Sequence, residues 1–379
     1  MKTKFYVAVT ILVLIVSAGT WAQPTVAQTP ADQNQTAAPE PSNPFKQTHK
    51  KALSGDARAQ YNLGVMYADG EGTPQDYNEA IKWFTRSAEQ GQAEAQFFMG
   101  VIYFEGRGVP QDYNEAFNWY TVAAEQGLAE AQLSLGVMYG TGEGMTQDYK
   151  KAFKWYAKAA DQGLAEAQYN LGVMYSKGQG VPEDDKEAVK WYTKAAKQGY
   201  ADAQFNLGVM YLEGRGVPED DTEAVKWYTK AAKQGYVMAQ FNLGLMYYNG
   251  IGVQPNDKEA LSWYTKAAEQ GDVLAQHNLG VMYATGEGVT QDYNEALKWY
   301  TKAAEQGYAA AQHNLGKMYW NGHGVPEDFV QSYKWLNLAA AQGNETAKEG
   351  RDALRTLMTL SQIAEAQRMS SEFRPNIKK

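Results

Sequence analysis

The chain has 379 residues, no cysteine and a formal net charge of −8. The absence of cysteine excludes a disulfide framework, thiol catalysis and thiolate metal sites. The acidic balance argues against nucleic acid as the main partner, because phosphate contacts need clustered lysine and arginine side chains.

Residues 1–22 have the features of a cleavable export signal. Lys2 and Lys4 precede an apolar run from Phe5 to Val16, and Ala22 fits the −1 position of a cleavage site. This run is shorter than the roughly 20 residues that span a bilayer. The sequence therefore predicts a Sec-type signal peptide cleaved near Ala22, no stable membrane span after cleavage, and a periplasmic or secreted protein.

Two short segments separate this signal from the body of the chain. Residues 23–44 are rich in Gln, Thr, Ala and Pro and have almost no large apolar side chains. Such a segment cannot bury enough surface to offset its ordering entropy, so a disordered linker is predicted. Residues 45–56 are predicted to form an N-terminal capping helix, because Ser54-Gly55 lies one sequence period before Gln90-Gly91.

From residue 57 to residue 343 the sequence repeats itself eight times at an interval of 36 residues, without an insertion. A glycine and a tryptophan mark the interval in every unit. They are Gly64, Gly100, Gly136, Gly172, Gly208, Gly244, Gly280 and Gly316, and Trp83, Trp119, Trp155, Trp191, Trp227, Trp263, Trp299 and Trp335. Self-similarity of this period indicates stacked supersecondary units, which form long surfaces rather than single pockets.

Each unit contains two predicted helices. The first spans roughly residues 57–68 of the first unit and ends at a Gly-x-Gly pair that all eight units share. The second begins after Asp76, which with Glu79 is predicted to form a capping box. It ends at Gln90-Gly91. After the eighth unit, residues 344–375 are predicted to form a C-terminal capping helix that hides the last core face, and residues 376–379 a frayed tail.

The repeated pattern A-x-A-Q-x-x-L-G-x-M-Y-x-x-G-x-G, followed by D-x-x-x-A-x-x-W-Y and A-A-x-Q-G, resembles the Sel1-like repeat, a relative of the tetratricopeptide repeat. The resemblance covers residues 57–343. It implies an all-α fold, namely an α-solenoid of paired antiparallel helices that forms a right-handed superhelix. It also implies an interaction scaffold, with relatives among regulators, host-factor binders and polysaccharide-export components of bacterial envelopes.

The invariant residues are predicted to be structural. Glycine in a helix interior costs about 1 kcal/mol relative to alanine, so the recurrence of Gly64 predicts that another helix backbone approaches too closely for a Cβ. Tyr67 and Trp83 are predicted to fill the space between adjacent units. Burying such side chains contributes about 1.5–3 kcal/mol each, which favours core packing over a cofactor site.

The positions that differ between units predict the binding surface. In the tetratricopeptide fold the first helix of each unit lines a concave groove, and carrying its positions across gives the candidate residues. These are Tyr61, Glu94, Phe97, Phe104, Glu130, Glu166, Tyr169, Asp202, Phe205, Phe241, Tyr248, His277, His313, Lys317 and Trp320. Aromatic side chains are the usual anchors of interfaces, and the acids would face basic residues of an extended peptide or protein segment.

Neighbouring asparagines, such as Asn206 and Asn242, could hydrogen-bond the backbone of that segment. The alternative is that Tyr61 and its equivalents pack between units, while the acids only favour helix starts.

No pattern indicates catalysis, a cofactor or a metal. His277 and His313 are one unit apart, on the order of 10 Å, which is too far for both to bind one metal at about 2.1 Å. Neither a phosphate-binding loop nor a nucleophile elbow is present. Some cysteine-rich relatives have been described as penicillin-binding or β-lactamase-like, but their paired cysteines are absent here.

The sequence therefore predicts an exported, non-catalytic protein–protein interaction scaffold. The alternative is a protein that binds glycan, peptidoglycan or exopolysaccharide in the bacterial envelope, because aromatic rows beside asparagine and acids also suit sugar stacking. An enzyme is the third class considered.

Overall fold

The computed structural model describes residues 44–376, and every regular element in this range is an α-helix. The predicted signal peptide, nearly all of the predicted linker and residues 377–379 lie outside the described residues. Pro44, which the sequence assigns to the linker, is instead the first residue of helix α1 (Pro44–Leu53). Proline suits this position, because the first residue of a helix needs no backbone N–H donor.

Eight helix pairs follow α1, one pair in each unit. They are α2 (Ala57–Asp69) and α3 (Tyr77–Glu89), α4 (Ala93–Glu105) and α5 (Tyr113–Glu125), α6 (Ala129–Thr141) and α7 (Tyr149–Asp161), α8 (Ala165–Lys177) and α9 (Asp185–Lys197), α10 (Ala201–Glu213) and α11 (Asp221–Lys233), α12 (Val237–Asn249) and α13 (Asp257–Glu269), α14 (Val273–Thr285) and α15 (Tyr293–Glu305), and α16 (Ala309–Asn321) and α17 (Phe329–Ala341). Each second helix packs on the first helix of its own unit and on the first helix of the next unit. The predicted α-solenoid of paired helices is confirmed.

The second helices begin at a side-chain cap that is simpler than predicted. The Asp76 carboxylate accepts hydrogen bonds from the backbone N–H groups of Asn78 and Glu79, at 2.9 and 3.1 Å. The Glu79 side chain does not return to Asp76 to complete a capping box. It accepts a hydrogen bond from Lys82 Nζ at 2.6 Å, because the lysine one turn later offers it a charged donor.

In the first seven units the invariant glycine of the first helix makes room for an aromatic ring of the second helix, and in the eighth unit Gly316 makes room for the Leu336 side chain. A Cβ added to Gly136 would lie 2.5 Å from Cδ1 and Cε1 of Tyr156, which belongs to the second helix of the same unit. The same geometry joins Gly172 to Tyr192. The sequence correctly predicts that a Cβ has no room at these glycines. It is wrong about the neighbour, which is an aromatic side chain and not a helix backbone.

Buried glutamines connect consecutive units. Gln168 is 5% exposed, and its Nε2 donates to the backbone oxygen of Ala160 in the preceding unit at 3.2 Å. Its Oε1 accepts from Gln198 Nε2 at 2.8 Å. The same pair of hydrogen bonds recurs in all eight units. Buried amide groups need hydrogen-bond partners. The repeated pair therefore explains why every unit has one glutamine early in the first helix, such as Gln168, and another directly after the second helix, such as Gln198.

The tryptophans belong to the apolar core between units, as predicted. Trp227 of the fifth unit packs in one cluster with Tyr192 of the fourth unit and with Leu207. A lysine one turn further along the second helix lies over most of these indoles. Lys230 Nζ, for example, is 3.8 Å from the ring centroid of Trp227. Such a cation–π contact contributes about 0.5–1 kcal/mol at an exposed site.

Helix α1 covers the first unit. The Phe45 and Tyr67 rings meet edge to face with centroids 5.5 Å apart, and His49 lies 5.8 Å from Trp83. Ala52 is buried against Leu63 and Trp83. The core of the first unit is therefore closed on the side where a preceding unit would stand.

The C-terminal cap consists of two helices, α18 (Glu345–Arg355) and α19 (Leu360–Glu372), rather than the single predicted helix. Leu354, Met358 and Ile363 all bury themselves in the cluster that contains Leu336 of α17. A straight helix would carry Ile363 away from α17, so the chain turns and α19 packs on α17. Phe373 then meets Trp335 edge to face with ring centroids 5.6 Å apart.

Candidate concave binding surface

The candidate residues lie on one surface, which we call the first-helix face. It comprises the second, fifth, sixth, ninth and twelfth residues of the first helix in each unit, together with the residue immediately before that helix. The core-facing positions of the same helices, such as Leu171 and Met174, point to the opposite side and are buried. Variation between units is therefore concentrated where the side chains reach the surface.

The fifth-position residues pack more deeply than predicted. Phe205 and Phe241 are only 3% and 9% exposed, because their rings lie against Tyr228 and Tyr264 with centroids 5.5 and 5.8 Å apart. Their assignment to the ligand-contacting groove is therefore corrected to core packing. The other six equivalents are half-buried, so they stay on the surface. They are Tyr61, Phe97, Leu133, Tyr169, His277 and His313.

His277 is held as a neutral imidazole by its neighbours. Its Nδ1 lies 3.3 Å from Asn278 Oδ1 and its Nε2 lies 3.1 Å from Asn314 Nδ2. With these partners Nδ1–H donates and Nε2 accepts. Burial lowers the pKa of His277, which favours the same neutral form. Its ring also contacts Tyr308, with centroids 5.2 Å apart.

Sequence reasoning missed a row of tyrosines that extends over the first-helix face. Tyr200, Tyr236 and Tyr308 each occupy the position before a first helix. Each ring lies against the fifth-position ring of the preceding first helix, with centroids 5.2 Å apart for Tyr200 and Tyr169 and 5.0 Å apart for Tyr236 and Phe205. The available signal was the variation at this position, where other units carry Gln, Leu, Asp or Asn.

Glu94 is the first acid at the second position of a first helix, and it forms an ion pair with Arg58 of the preceding unit. Arg58 Nη1 lies 2.6 Å from Glu94 Oε1, and the Arg58 guanidinium lies 5.3 Å from the ring centroid of Tyr61. Burial opposes ionisation of Glu94, but hydrogen bonds from its own backbone amide and from Arg58 prevail and lower its pKa. Glu94 is therefore a paired carboxylate.

Glu166 of the fourth unit and Asp202 of the fifth unit have raised pKa values, unlike Glu94. Burial and the charge of Asp202 raise the pKa of Glu166. Burial likewise raises the pKa of Asp202, although hydrogen bonds from its own backbone amide and from the Tyr236 hydroxyl offset part of this effect. Within residues 44–376 no lysine or arginine forms an ion pair with either carboxylate. Two ionised groups therefore repel each other on this face.

Three tyrosines surround these two acids. Burial and the Asp202 charge raise the pKa of Tyr169 to about 12. Burial also raises the pKa of Tyr200 and Tyr236, and nearby carboxylates add to the effect in both. All three phenols therefore stay neutral at physiological pH. We call Glu166, Tyr169, Tyr200, Asp202 and Tyr236 the acid–tyrosine cluster.

The asparagines beside the fifth position are partly occupied within the fold. Asn242 lies near the buried Tyr228 hydroxyl and Asn278 near that of Tyr264, and each partly offsets the rise that burial causes in the pKa of the phenol. Asn206 Nδ2 lies 3.5 Å from Tyr169 Oη. These side chains therefore lie beside tyrosine hydroxyl groups, which limits their use toward a ligand backbone.

The last three units present a more apolar surface. Met238 is 40% exposed at the position that Asp202 holds one unit earlier, and Leu274 follows it one unit later. Tyr248 is exposed, and its hydroxyl donates to Glu287 Oε2 at 2.7 Å. Lys317 is exposed, and its charge joins burial in lowering the pKa of His313.

Two candidates at the twelfth position pack against neighbouring elements. The Phe104 ring lies 5.2 Å from that of Tyr113 in the same unit. Trp320 packs on the C-terminal cap, in the cluster that contains Leu336 and Leu354. Both remain half-buried, so each presents one edge to the surface.

Two absences can be stated for the described part of the chain, a metal-binding cluster and a membrane-spanning helix. Residues 44–376 contain no group of three or more His, Asp or Glu side chains that could hold a metal ion. In the same range, none of the helices has the length and apolar character that a membrane crossing requires.

The raised pKa values of Glu166 and Asp202 lead to a stability prediction. Because the folded state holds their protons more tightly than the unfolded state, ionising them at pH 7 costs stability, and this cost disappears as the pH falls toward their unfolded values near 4. We expect the E166Q/D202N variant to have a melting temperature higher than the wild type by on the order of 1 °C at pH 7. The difference should shrink toward pH 4.

Glu187→Gln is the matched control, because Glu187 accepts a hydrogen bond from Lys190 and its loss should give no stabilisation. Differential scanning fluorimetry across pH 4–8 measures the effect. A melting temperature below that of the wild type at pH 7 would favour the alternative, in which the acids only support helix starts.

Comparison with known proteins agrees with this architecture. The Sel1 repeat family model matches residues 57–92, 93–128, 129–164, 165–200, 201–236, 237–272, 273–308 and 309–344. A Sel1-like repeat-containing protein, L18, of Acanthamoeba polyphaga mimivirus is 53% identical over 38 residues, which are 10% of this chain and 6% of that protein. The chain thus matches only a small part of this curated relative.

Two crystal structures are similar over most of their length. A Sel1 repeat protein from Oxalobacter formigenes is 38% identical, with a TM-score of 0.63 over 86% of this chain and 98% of that one. A protective antigen of uropathogenic Escherichia coli is 32% identical, with a TM-score of 0.54 over 87% of this chain and 94% of that one. Sel1 repeat solenoids are generally protein-interaction scaffolds and generally non-catalytic. The eight consecutive matches and the paired-helix solenoid show that this chain belongs to the Sel1 repeat family.

Proposed function

We propose that the chain is an exported, non-catalytic scaffold that binds an extended segment of a partner protein in a concave groove lined by the first-helix face. The observation that carries the proposal is the presence of half-buried carboxylates without an ion-pair partner among tyrosine rings. Such an arrangement costs stability in the free protein, because ionised groups lose hydration and repel each other. A partner segment with basic side chains would recover that cost on binding.

The composition of the surface changes along the solenoid in a way that suits such a segment. The third to fifth units carry Glu130, Glu166 and Asp202 at the second position, whereas the sixth and seventh carry Met238 and Leu274. Basic side chains of the partner would face the acids, and its apolar side chains would pack on the later units. Aromatic and apolar anchors supply most interface energy, while the charge pairs set register and specificity.

The glycan alternative receives less support from the same geometry. Sugar stacking needs open ring faces, but Phe205 and Phe241 are buried and Tyr169 is covered by Tyr200. Among the other candidate rings, Tyr248 is exposed, but its hydroxyl is bound to Glu287, and Tyr61, Phe97 and Trp320 are half-buried. We therefore retain a glycan only as an outcome of the experiment below.

Export forms part of the proposal and rests on the charge and apolar pattern of residues 1–22. A periplasmic or secreted scaffold would meet partners of the bacterial envelope or of a host. N-terminal sequencing of the mature protein from its native source tests this part. A first residue near Gln23 supports export, and a retained Met1 contradicts it.

The groove is tested by site-specific photo-crosslinking with p-benzoylphenylalanine. One variant carries the probe at Asn170, which is half-buried on the first-helix face, and the matched control carries it at Lys197, which is exposed at the end of α9. In envelope extract we expect a protease-sensitive adduct of defined mass from the Asn170 variant and none from the control. Equal labelling of both variants, no labelling of either, or an adduct removed by a peptidoglycan hydrolase would contradict the proposal.

A further inference from the structure

The acid–tyrosine cluster lies where the fourth, fifth and sixth units meet. Glu166 and Tyr169 come from α8, Tyr200 and Asp202 from the start of α10, and Tyr236 from the residue before α12. The Tyr169 and Tyr200 rings are 5.2 Å apart at an interplanar angle of 45°, and the Tyr236 hydroxyl is near enough to Asp202 to offset part of the rise in the pKa of that carboxyl. The cluster therefore combines negative charge, phenol oxygens and ring surface at one place.

The chain itself shows which ligand such a place accommodates. In the first two units the second-position carboxylate of Glu94 lies against the guanidinium of Arg58, which also faces the fifth-position ring of Tyr61. One organic cation is thus bound by a carboxylate and a ring at these repeat positions. The rings and carboxylates of the later units occur at the same positions, so the same class of cation fits them.

The fourth and fifth units have no basic residue at the second position of the first helix. The position of Arg58 in the first unit is taken by Glu166 in the fourth, and the position of Glu94 is taken by Asp202 in the fifth. Two acids therefore replace an acid and a base. Charge complementarity requires the positive group to come from another molecule, and the neutral phenols around it would supply ring faces and hydroxyl oxygens.

We propose that Glu166, Tyr169, Tyr200, Asp202 and Tyr236 form a subsite for one lysine or arginine side chain of the partner segment. The inference rests on the proposed function and identifies the residue type that anchors the partner at the centre of the groove. An alkylammonium or guanidinium group lies between the two carboxylates, and its aliphatic stem packs on the tyrosine rings. Units six and seven then receive the apolar residues that flank this anchor.

The first test uses small probes on the full chain. 3-Fluorotyrosine at position 200 reports binding by ¹⁹F NMR during titration with N-acetyl-lysine amide or N-acetyl-arginine amide. We expect a saturable shift from one or both cations and none from the neutral isostere N-acetyl-norleucine amide. In the E166Q/D202N variant the affinity should fall at least about tenfold, while the E187Q control should bind as the wild type does.

Because E166Q/D202N is expected to be more stable than the wild type at pH 7, loss of binding cannot be attributed to unfolding. Circular dichroism and the melting temperature verify this. The inference is overturned if neither cation shifts the signal at tens of millimolar, if norleucine amide gives the same shift, or if the double variant binds unchanged.

A second arm separates this inference from the proposed function. The E166Q/D202N substitutions are combined with the crosslinking probe at Asn170. An adduct that persists undiminished in the variant contradicts the subsite but leaves the groove intact. Cation binding in the NMR titration without any adduct from the wild type supports the subsite and contradicts the proposed scaffold function.

Discussion

Replacing Gly136 by alanine is expected to lower the free energy of unfolding by about 3 kcal/mol, the upper part of the range for overpacked cores. The added Cβ would lie 2.5 Å from two ring carbons of Tyr156, which is buried and cannot shift without displacing its own neighbours. Alanine favours the helix by about 1 kcal/mol, but this gain is smaller than the cost of the clash. Urea unfolding followed by circular dichroism measures the change.

Gly140→Ala is the matched control, because it lies in the same helix and faces the same tyrosine. Its added Cβ would lie 3.5 Å from Tyr156 Oη, which is ordinary contact. We expect this variant to be as stable as the wild type or more stable by up to about 1 kcal/mol. Equal destabilisation of the two variants would show that the glycine is not required by the ring. Hydrogen exchange should place the loss from Gly136→Ala in α6 and α7, since the stability of a solenoid is a sum over units and interfaces.

Replacing Gln168 by leucine is expected to lower the free energy of unfolding by about 2 kcal/mol. Leucine has a similar volume, so the packing is largely kept. The buried carbonyl oxygen of Ala160 loses its donor from Gln168, and Gln198 loses an acceptor. The Ala160 oxygen keeps the backbone donors of Gln162 and Gly163, so the cost is that of the two lost side-chain hydrogen bonds, about 1 kcal/mol each. Urea unfolding again gives the magnitude, and hydrogen exchange at the junction of the third and fourth units gives the location.

Gln198→Ala provides the comparison for this second substitution. Gln198 is exposed and also bonds the backbone oxygen of Gly163, both of which water can reach. Its removal should cost less than half as much as the removal of Gln168. If both changes cost the same, the destabilisation arises from loss of the pair as a whole rather than from the buried carbonyl of Ala160.

The helices and their boundaries could be predicted because the same boundary residues recur in eight units of the sequence. The invariant residues of each unit determine local structure directly, and Asp76 with its backbone bonds to Asn78 and Glu79 is one instance. The role of the invariant glycine could not be derived in the same way. Helical spacing shows that little room exists at Gly136, but only three-dimensional packing identifies the ring of Tyr156 as the neighbour. The turn between α18 and α19 also escaped prediction, because the apolar spacing there fits one helix as well as two.

The candidate surface was predicted less completely than the fold. Assigning one position of each helix to the groove treats all units alike, whereas burial at that position differs between units, since Phe205 is buried and Tyr169 is half-buried. Tyr236 covers Phe205. Before α14 Asp272 takes the position of Tyr236, yet Phe241 is also buried, and both phenylalanines pack on a tyrosine of the second helix, Tyr228 or Tyr264. The acids are half-buried on the first-helix face, and the difference between paired Glu94 and unpaired Glu166 depends on contacts across two units.

The two ends of the repeat array are closed by segments that differ from the units themselves. Helix α1 presents Phe45 and His49 to the first unit, and α19 with Phe373 covers the last. Each internal junction, by contrast, uses the same rings and amides. A duplication or deletion of one whole unit inside the array would therefore create no new kind of junction. It would also expose no uncovered apolar surface at either end, because α1 and α19 would still cover the terminal units. Evolution or an engineer could lengthen or shorten the recognition surface in 36-residue increments while both termini stay as they are.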